Sequence, residues 1–389
     1  MKIGITCYPT HGGSGVVATE LGMELAKRGH EVHFISYALP FRLKQFQENV
    51  VFHEVQMLSY PLFQYPPYTL ALAAKLAEVA DEVELDVLHA HYAVPHAVCA
   101  YLARMVSHSE KFKIVTTLHG TDITLVGADP SFRSLTRFGI EQSDGVTAVS
   151  GYLKEKTLEV FDLKRQIEVI PNFVDTARFA PRQGGACNRN HFARKDERIL
   201  LHISNFRPSK RVEDVVRIFA SVRREIPCRL LMVGDGPDRM PARDLAEALG
   251  VGKWIRWLGQ LDAVEDVLCV ADLFVLPSKN ESFGLAALEA MSVAVPVIGS
   301  TAEGLPELVR SGETGYLMPV GDAEGMARRA IEVLSDPARL SAMSEASRRI
   351  AIEHYDVERI IPRYEEFYGR VCARAPRIPQ PLTPPEGLA

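Results

Sequence analysis

Short, nearly continuous apolar runs alternate along most of the chain with longer segments whose apolar positions recur every three or four residues. Runs of the first kind are typical of strands buried on both faces, and the longer period is typical of amphipathic helices. The pattern therefore predicts an α/β fold with parallel sheets covered by helices. The predicted strands lie at residues 2–8, 31–36, 51–55, 86–90, 113–118, 145–149 and 167–170, and then at residues 199–204, 229–234, 255–259, 273–278 and 295–300.

A polar segment at residues 177–198 interrupts this alternation, and 389 residues are many for a single core. We therefore expect two doubly wound, Rossmann-like domains that face each other across a cleft and bind ligands at the carboxyl ends of their strands. The N-terminal domain is expected at 1–175, completed by a helix at about 355–373, and the C-terminal domain at 176–354. The proline-rich tail, 374–389, is expected to be disordered.

Charge and composition exclude several classes of function. A net charge of −5 argues against a broad nucleic-acid-binding surface, and no apolar run is long enough to span a membrane. The six cysteines are scattered without a CxxC pair, which indicates free thiols. Because Met1 leads directly into a predicted strand, we expect no signal peptide and a cytoplasmic protein. The sequence leaves the formation of a homodimer open.

The first strand and the first helix are joined by a glycine-rich turn, "CYPTHGGSGVVATELG", at residues 7–22. Such a turn leaves backbone N–H groups free at the positive end of the helix dipole, which is a site for an anion. Gly13-x-Gly15-x-x-Ala18 also fits the loose dinucleotide fingerprint. That motif requires an acid at the end of the second strand, and "FISYALP" has none there. A structural turn and a nicotinamide-dependent oxidoreductase stay open at this point.

A cluster of cations follows the first strand of the second half, in "SNFRPSKRVEDVV" at residues 204–216. Arg207, Lys210 and Arg211 stand at the start of a predicted helix, where the helix dipole disfavours positive charge. A bound diphosphate would offset that repulsion. Solvated surface charge is the alternative.

Two acids lie eight residues apart in "SKNESFGLAALEAM", residues 278–291. Glu281 stands just ahead of a helix that is predicted to start near Gly284, and eight helical residues would rise roughly 12 Å. The carboxylates of a glycoside hydrolase lie only about 5–9.5 Å apart. The pair instead suits two carboxylates that grip different parts of one extended ligand, with a solvated helix and a capping acid as the alternative.

Polar side chains also follow two strands of the first half. "HAHYAVP" contains His89, His91 and Tyr92, and "TTLHGTDIT" contains His119, Gly120, Thr121 and Asp122. The histidine spacings do not resemble a closed zinc site. Arg133 and Arg137, four residues apart on the next predicted helix, would share a face that binds a carboxylate or phosphate, unless that face is simply solvated.

Taken together, these motifs resemble the retaining GT-B glycosyltransferases of family 4 over nearly the whole chain. The resemblance includes "IPNFVD", "VGDGP", Glu281-x7-Glu289 and "GLPELVRSGETGYL". "THGGSGVVATELG", "HAHYAVPHA", "LHGTDITLVG" and "SNFRPSKR" are more narrowly similar to a branch that transfers N-acetylglucosamine from UDP-GlcNAc to the hydroxyl of L-malate, the first step of bacillithiol biosynthesis. An acceptor that is another small anion or a sugar, an epimerase or phosphorylase, and a non-catalytic nucleotide-sugar-binding module stay open.

The resemblance also implies roles for individual residues, and neither a metal ion nor a cofactor. Lys210, Glu281 and His119 would take part in catalysis, His119 without transferring a proton. The donor would be bound by Gly13, Asn205, Arg207, Lys210, Arg211, Glu281, Ser282, Phe283, Gly284 and Glu289. The acceptor would be bound by Ser14, Gly15, Tyr92, Thr121 and Arg137. Many relatives have an arginine where this chain has Asn205, so Arg207 or Arg211 would supply the second cation at the diphosphate.

Overall fold

The computed structural model describes residues 1–10, 12–43, 46–57, 64–109, 111–181 and 189–375. The chain divides into two compact units. Unit 1 comprises Met1–Ile170 together with the chain from Ile361 onward, and unit 2 comprises Pro171–Ile360. The division thus falls at 170/171, whereas the sequence predicts a boundary at 175/176. Residues 182–188 of the predicted boundary segment and residues 376–389 of the predicted tail lie outside the described residues.

Unit 1 is built on one parallel sheet of seven strands. The strands are β1 (Lys2–Thr6), β2 (Glu31–Ser36), β3 (Val50–Glu54), β4 (Val87–His91), β5 (Lys113–Leu118), β6 (Gly145–Ala148) and β7 (Glu168–Val169). Their order is β3-β2-β1-β4-β5-β6-β7. Its helices are α1 (Gly13–Lys27), α2 (Tyr68–Val83), α3 (Val98–Val106), α4 (Thr121–Thr124), α5 (Pro130–Gln142) and α6 (Gly151–Phe161).

Unit 2 repeats this architecture with six parallel strands. They are β8 (Arg198–Ile203), β9 (Cys228–Val233), β10 (Ile255–Gly259), β11 (Leu273–Leu276), β12 (Val297–Ser300) and β13 (Gly315–Met318), in the order β10-β9-β8-β11-β12-β13. Its helices are α7 (Val212–Glu225), α8 (Arg239–Ala248), α9 (Glu265–Leu268), α10 (Leu285–Ser292), α11 (Leu305–Leu308), α12 (Ala323–Ser335) and α13 (Pro337–Tyr355). The last helix, α14 (Val357–Cys372), begins in unit 2 and continues in unit 1.

Both sheets have the order of a doubly wound Rossmann-like fold, so the predicted fold class is confirmed. The strand β13 is an addition to the prediction; it has only four residues, and the last three are only partly buried. In unit 1, buried side chains of α2 and α3 pack against strand residues such as Leu88 and Ile114. In unit 2, Val215 and Phe219 of α7 pack with Leu230 and Met232 of β9.

The C-terminal half of α14 packs on the sheet of unit 1. The hydroxyl of Tyr368 lies 2.7 Å from Nδ1 of His89 on β4. At Gly145, the first residue of β6, a Cβ atom would lie 2.7 Å from Val371 and 2.8 Å from Phe367. Glycine is therefore needed at this position for the helix to approach the strand so closely.

The thiols are mostly free, as predicted. Cys7, Cys99, Cys228 and Cys372 are free, but the prediction is wrong for Cys269, which forms a disulfide bond. Within the described part of the chain, no helix combines the length and the apolar character needed to cross a membrane.

Several histidines of unit 1 are buried. Burial lowers the pKa of His89 to about 3, that of His96 to about 4 and that of His119 to about 3. Each of these side chains binds a proton near pH 6.5 once the chain unfolds, so unfolding takes up protons between about pH 3 and 6.5. Asp122 acts in the opposite direction: burial raises its pKa to about 6, so it releases a proton when the chain unfolds. The buried histidines outnumber Asp122, so proton uptake on unfolding exceeds proton release.

We therefore expect the free energy of unfolding to fall as pH is lowered from about 6.5 to 4.5. Replacing His89 by glutamine should reduce the slope of that fall by about one proton, or about 1.4 kcal/mol per pH unit. Urea unfolding followed by circular dichroism at several pH values measures the slope. The exposed His108, replaced in the same way, is the control. An unchanged slope in His89→Gln would contradict the assignment.

Candidate functional site

In each unit the order of the strands reverses beside the first strand. Connections run one way from β1 toward β3 and the other way from β4, and β8 and β11 have the same relation in unit 2. Loops at the carboxyl ends of such neighbouring strands diverge and leave a crevice, which is where doubly wound sheets bind ligands. The predicted site residues follow β1, β4 and β5 in unit 1, and β8 and β11 in unit 2.

The glycine-rich turn ends in the helix α1, as predicted. The first intrahelical bond runs from the N–H of Val16 to the carbonyl of Gly12, so the preceding N–H groups of Gly13, Ser14 and Gly15 have no partner within the helix. A Cβ atom on Gly15 would lie 2.5 Å from the carbonyl oxygen of Tyr8. Only glycine lets the helix begin this close to the end of β1. The first turn contains no acidic residue that would compete with a bound anion for these N–H groups.

Tyr92, directly after β4, is brought together with two other predicted residues. Its hydroxyl accepts a hydrogen bond from Oγ of Ser14 at 3.0 Å, and its ring lies 5.4 Å from the ring of His119. Tyr92 has a φ of +95°, a conformation that costs a side chain about 1–3 kcal/mol. Its N–H, which donates to the carbonyl of Thr117 at 3.0 Å, helps to hold it there.

A buried carboxylate joins the loops that follow β4 and β5. Asp122 accepts hydrogen bonds from the backbone N–H of Ala93 at 3.0 Å, of His119 at 3.1 Å and of Gly120 at 2.9 Å. Burial raises its pKa to about 6, and these hydrogen bonds act in the opposite direction. The sequence analysis gave Asp122 no role. Its position three residues after a histidine at a strand end is the signal that could have identified it.

His119 also contacts a second histidine. Nδ1 of His91 lies 2.9 Å from Nε2 of His119, and the carbonyl of His91 accepts a hydrogen bond from Nδ1 of His96 at 2.7 Å. Burial keeps the pKa of His91 well below its usual range and that of His119 at about 3, so both rings are neutral at neutral pH. His91 was not assigned from sequence, although His89 and His91 share one face of β4 because side chains alternate along a strand.

The remaining acceptor residues lie on α4 and α5. Thr121 is exposed and begins α4 directly after Gly120, whose φ is +114°. On α5, Nε of Arg137 donates to Glu141 at 3.0 Å. The guanidinium of Arg133 donates to the carbonyl of Val160 near the end of α6. Both arginines lie on α5 four residues apart, the spacing of a shared helix face, but their side chains have different partners.

In unit 2, the predicted catalytic pair is in direct contact. Nζ of Lys210 lies 2.7 Å from Oε2 of Glu281, and the two side chains are 21% and 14% exposed. The loops that carry them, after β8 and β11, are joined by a hydrogen bond from the N–H of Lys279 to the carbonyl of Ser209 at 2.7 Å. A half-buried ammonium thus lies beside a half-buried carboxylate at the crevice of this unit.

The other cations of the cluster differ from each other. Nε of Arg211 donates to Asp214 at 2.5 Å. Arg207 is exposed, and it forms no ion pair with any residue in the described ranges. Asn205 lies under the "VGDGP" turn, where a Cβ atom on Gly236 would be only 2.2 Å from its carbonyl oxygen. Arg207 can therefore bind an anion without giving up an ion pair, whereas Arg211 is already paired with Asp214.

The segment with the two acids has Glu281 ahead of the helix that carries Glu289, in agreement with the sequence pattern. The helix α10 begins at Leu285, preceded by Gly284 with a φ of +98°. The rise of a continuous helix therefore does not give the distance between the two carboxylates. Glu289 is only 5% exposed, which excludes the alternative of a solvated helix face.

Ser282 and Phe283 connect Glu281 to this helix. Ser282 is half-buried. The ring of Phe283 is 3% exposed and packs against Tyr355 with ring centroids 5.6 Å apart. The ring of Phe283 is therefore occupied by packing, which leaves its backbone N–H as the group that could contact a ligand. Among the described residues, no group of three or more His, Cys, Asp or Glu side chains is arranged to hold a metal ion.

Comparison with known families matches both halves of the chain. Residues 11–178 match the model described as Glycosyltransferase Family 4, and residues 188–350 match the model described as Glycosyl transferases group 1. A relative from Bacillus anthracis, named N-acetyl-alpha-D-glucosaminyl L-malate synthase, is 50% identical over 368 residues, which are 95% of this chain and 96% of the relative. A GDP-mannose-dependent phosphatidylinositol monomannoside mannosyltransferase of Mycolicibacterium smegmatis is 28% identical over 74% of this chain and 79% of its own.

Solved structures agree in fold. A sucrose-phosphate synthase from Thermosynechococcus elongatus has a TM-score of 0.81 at 22% identity, and Anabaena HepE in complex with UDP and glucose has a TM-score of 0.82 at 20% identity. Each comparison covers 95% of this chain and 99% of the other. With the two family models spanning most of the chain and a relative sharing half of its residues, the chain belongs to glycosyltransferase family 4 and is a glycosyltransferase of the GT-B fold.

Proposed function

We propose that the enzyme transfers N-acetylglucosamine from UDP-GlcNAc to the hydroxyl of L-malate, with retention at the anomeric carbon, as the first step of bacillithiol biosynthesis. The choice of sugar and acceptor is supported by the 50% identity to the Bacillus anthracis relative over 95% of the chain. The observation that carries the chemistry is the contact between Lys210 and Glu281 at 2.7 Å.

The donor diphosphate is bound in unit 2 by Lys210 and Arg207. When the sugar leaves UDP, negative charge develops on the phosphate oxygen, and a fixed cation lowers the energy of that state. The ammonium of Lys210 is already held at the crevice by Glu281, so it needs little reorganisation. Arg207 supplies the second charge, because Arg211 is bound to Asp214. These cations take the role that a divalent metal has in other nucleotide-sugar enzymes, so the reaction requires no metal ion.

The two acids of unit 2 bind hydroxyl groups of the donor. Glu289 accepts from the ribose hydroxyls, and Glu281 accepts from hydroxyls of the sugar beside the backbone N–H groups of Phe283 and Gly284. Ser282 and Asn205 complete the donor site.

The acceptor is bound in unit 1. A carboxylate of malate accepts from the free N–H groups of Gly13, Ser14 and Gly15 at the start of α1, which is the preferred place for an anion. Tyr92 and Thr121 position the rest of the molecule, and Arg137 pairs with the second carboxylate. Arg137 is bound to Glu141 in the structure, and it can add a bidentate contact to a carboxylate through its terminal nitrogens.

Transfer breaks the bond between the anomeric carbon and the diphosphate oxygen, and UDP leaves with the electron pair. The malate hydroxyl oxygen bonds to the anomeric carbon on the same face, and its proton passes to the departing phosphate oxygen. No side chain has to act as a base. The neutral His119 fits this scheme, because a ring with a pKa of about 3 stays neutral and binds substrate by hydrogen bonding.

We expect UDP release from UDP-GlcNAc to depend on L-malate and to yield a product with the mass of an N-acetylglucosaminyl malate. Mass spectrometry of the product and its anomeric proton coupling, read by NMR, test the acceptor and retention together. A chelator should leave the rate unchanged. Binding of UDP-GlcNAc without malate-dependent release would contradict the acceptor and direct the search to other small anions or sugars.

Lys210→Ala should lower kcat by a factor on the order of 10² to 10³, since one transition-state charge partner is lost. Arg207→Ala should lower kcat/KM for UDP-GlcNAc by about tenfold or more, and by more than Arg211→Ala does. Lys195→Ala is the matched control, because this exposed lysine precedes β8 and lies at the opposite end of the strand. Full activity of Lys210→Ala would remove the diphosphate role.

Arg137→Ala should raise the KM for malate by about tenfold and leave the KM for UDP-GlcNAc unchanged, because a charged hydrogen bond to the acceptor alone is lost. Arg133→Ala, one turn earlier on α5, should change neither constant, since its guanidinium is bound to the carbonyl of Val160. Steady-state kinetics with each substrate varied give both values. Equal effects of Arg137→Ala on the two KM values would rule out a role specific to the acceptor.

A further inference from the structure

The two nitrogens of His91 have unequal surroundings. Nδ1 lies 2.9 Å from Nε2 of His119, and the two rings are nearly parallel, with an angle of 25° and centroids 5.1 Å apart. Nε2 of His91 is fully buried and has no hydrogen-bond partner among the described residues. His91 itself is 0% exposed, so its ring cannot turn toward solvent.

Two neutral proton arrangements are compatible with this contact. In the first, His91 carries its proton on Nδ1 and donates to Nε2 of His119. In the second, His119 donates from Nε2 and His91 carries its proton on Nε2, where the buried N–H has no acceptor. A buried N–H without an acceptor is rarer than a buried acceptor atom without a donor. The first arrangement is therefore favoured.

The neighbouring histidine has the same kind of arrangement. Nδ1 of His96 lies 2.7 Å from the carbonyl oxygen of His91, and a carbonyl can only accept, so His96 carries its proton on Nδ1. Nε2 of His96 is also buried without a partner in the described part of the chain. Both buried rings thus direct a donor to a protein acceptor and leave a bare lone pair in the core.

We propose that His91 is a positioning residue that donates from Nδ1 to Nε2 of His119 and thereby fixes His119 as the tautomer protonated on Nδ1. The ring of His119 then offers substrate a hydrogen-bond donor, and its acceptor nitrogen is already occupied. His119 cannot remove a proton from the acceptor hydroxyl in this state. The consequence for transfer rests on the proposed function, whereas the tautomer does not.

The tautomer is measurable in the enzyme without substrate. In full-length protein with ¹⁵N-labelled histidine, long-range proton–nitrogen correlation at pH 7.5 should give His119 a protonated Nδ1 and an unprotonated Nε2. His119→Gln assigns the signals. A protonated Nε2 on His119 in the wild-type protein would overturn the proposal whatever substrate the enzyme uses.

Two variants test whether His91 is the cause. His91→Phe keeps a flat ring without a donor, and it should give His119 a mixture of tautomers and lower kcat about tenfold with little change in either KM. His91→Asn, whose side-chain N–H₂ can replace the Nδ1 donor, should restore the single tautomer and most of the rate. An unchanged tautomer in His91→Phe would refute the role of His91. Failure of the proposed function would show itself separately, as wild-type enzyme without malate-dependent UDP release.

Discussion

Parallel pairing of β1 with β4, and of β8 with β11, is the constraint on which both candidate sites depend. Parallel strands all end at the same edge of a sheet, so their following loops are gathered there whatever their separation in sequence. The connections that follow the two paired strands run in opposite directions along the sheet, so their loops separate and leave room for a ligand. His119 and Ser14 are far apart in sequence, and the sheet of unit 1 alone brings their loops to one edge.

Side-chain contacts then fix the positions of neighbouring loops relative to each other. In unit 1 one carboxylate, that of Asp122, binds the backbone after β4 and after β5, which fixes Tyr92 and His119 relative to each other. In unit 2 the ion pair of Lys210 and Glu281 does the same for the loops after β8 and β11. Removing Lys210 or Glu281 leaves the other charge half-buried without its partner. The resulting loss of stability is therefore larger than the net stabilisation that the ion pair provides. The residues that join the loops, Asp122 in unit 1 and Lys210 with Glu281 in unit 2, thus lie among the candidate site residues themselves.

The sequence was sufficient for most of the fold because apolar runs and helical periodicity depend on local pattern. It missed β13, Gly315–Met318, whose run of three apolar residues is too short to stand out. Site residues were found where a motif or a resemblance identified them, as for Lys210 and Glu281. Asp122 and His91 were not assigned, because their roles arise from contacts between loops of different strands. The arginines show the same limit: spacing places Arg133 and Arg137 on one face of α5, but it does not reveal that Val160 near the end of α6 accepts a hydrogen bond from Arg133.

The two units differ in how they use charge. The loops after β8 and β11 of unit 2 bring an ammonium against a carboxylate, and the exposed guanidinium of Arg207 lies on the first of these loops. Under the proposed function, these cations stabilise the departing diphosphate. The crevice of unit 1 contains helix N–H groups, hydroxyls and histidines whose burial keeps them neutral. Under the proposed function, a buried imidazolium in this crevice would add a fixed charge that attracts the acceptor carboxylate away from the N–H groups at the start of α1. Neutral rings avoid that competition, so that the direction of hydrogen bonds, rather than net charge, would orient the acceptor hydroxyl.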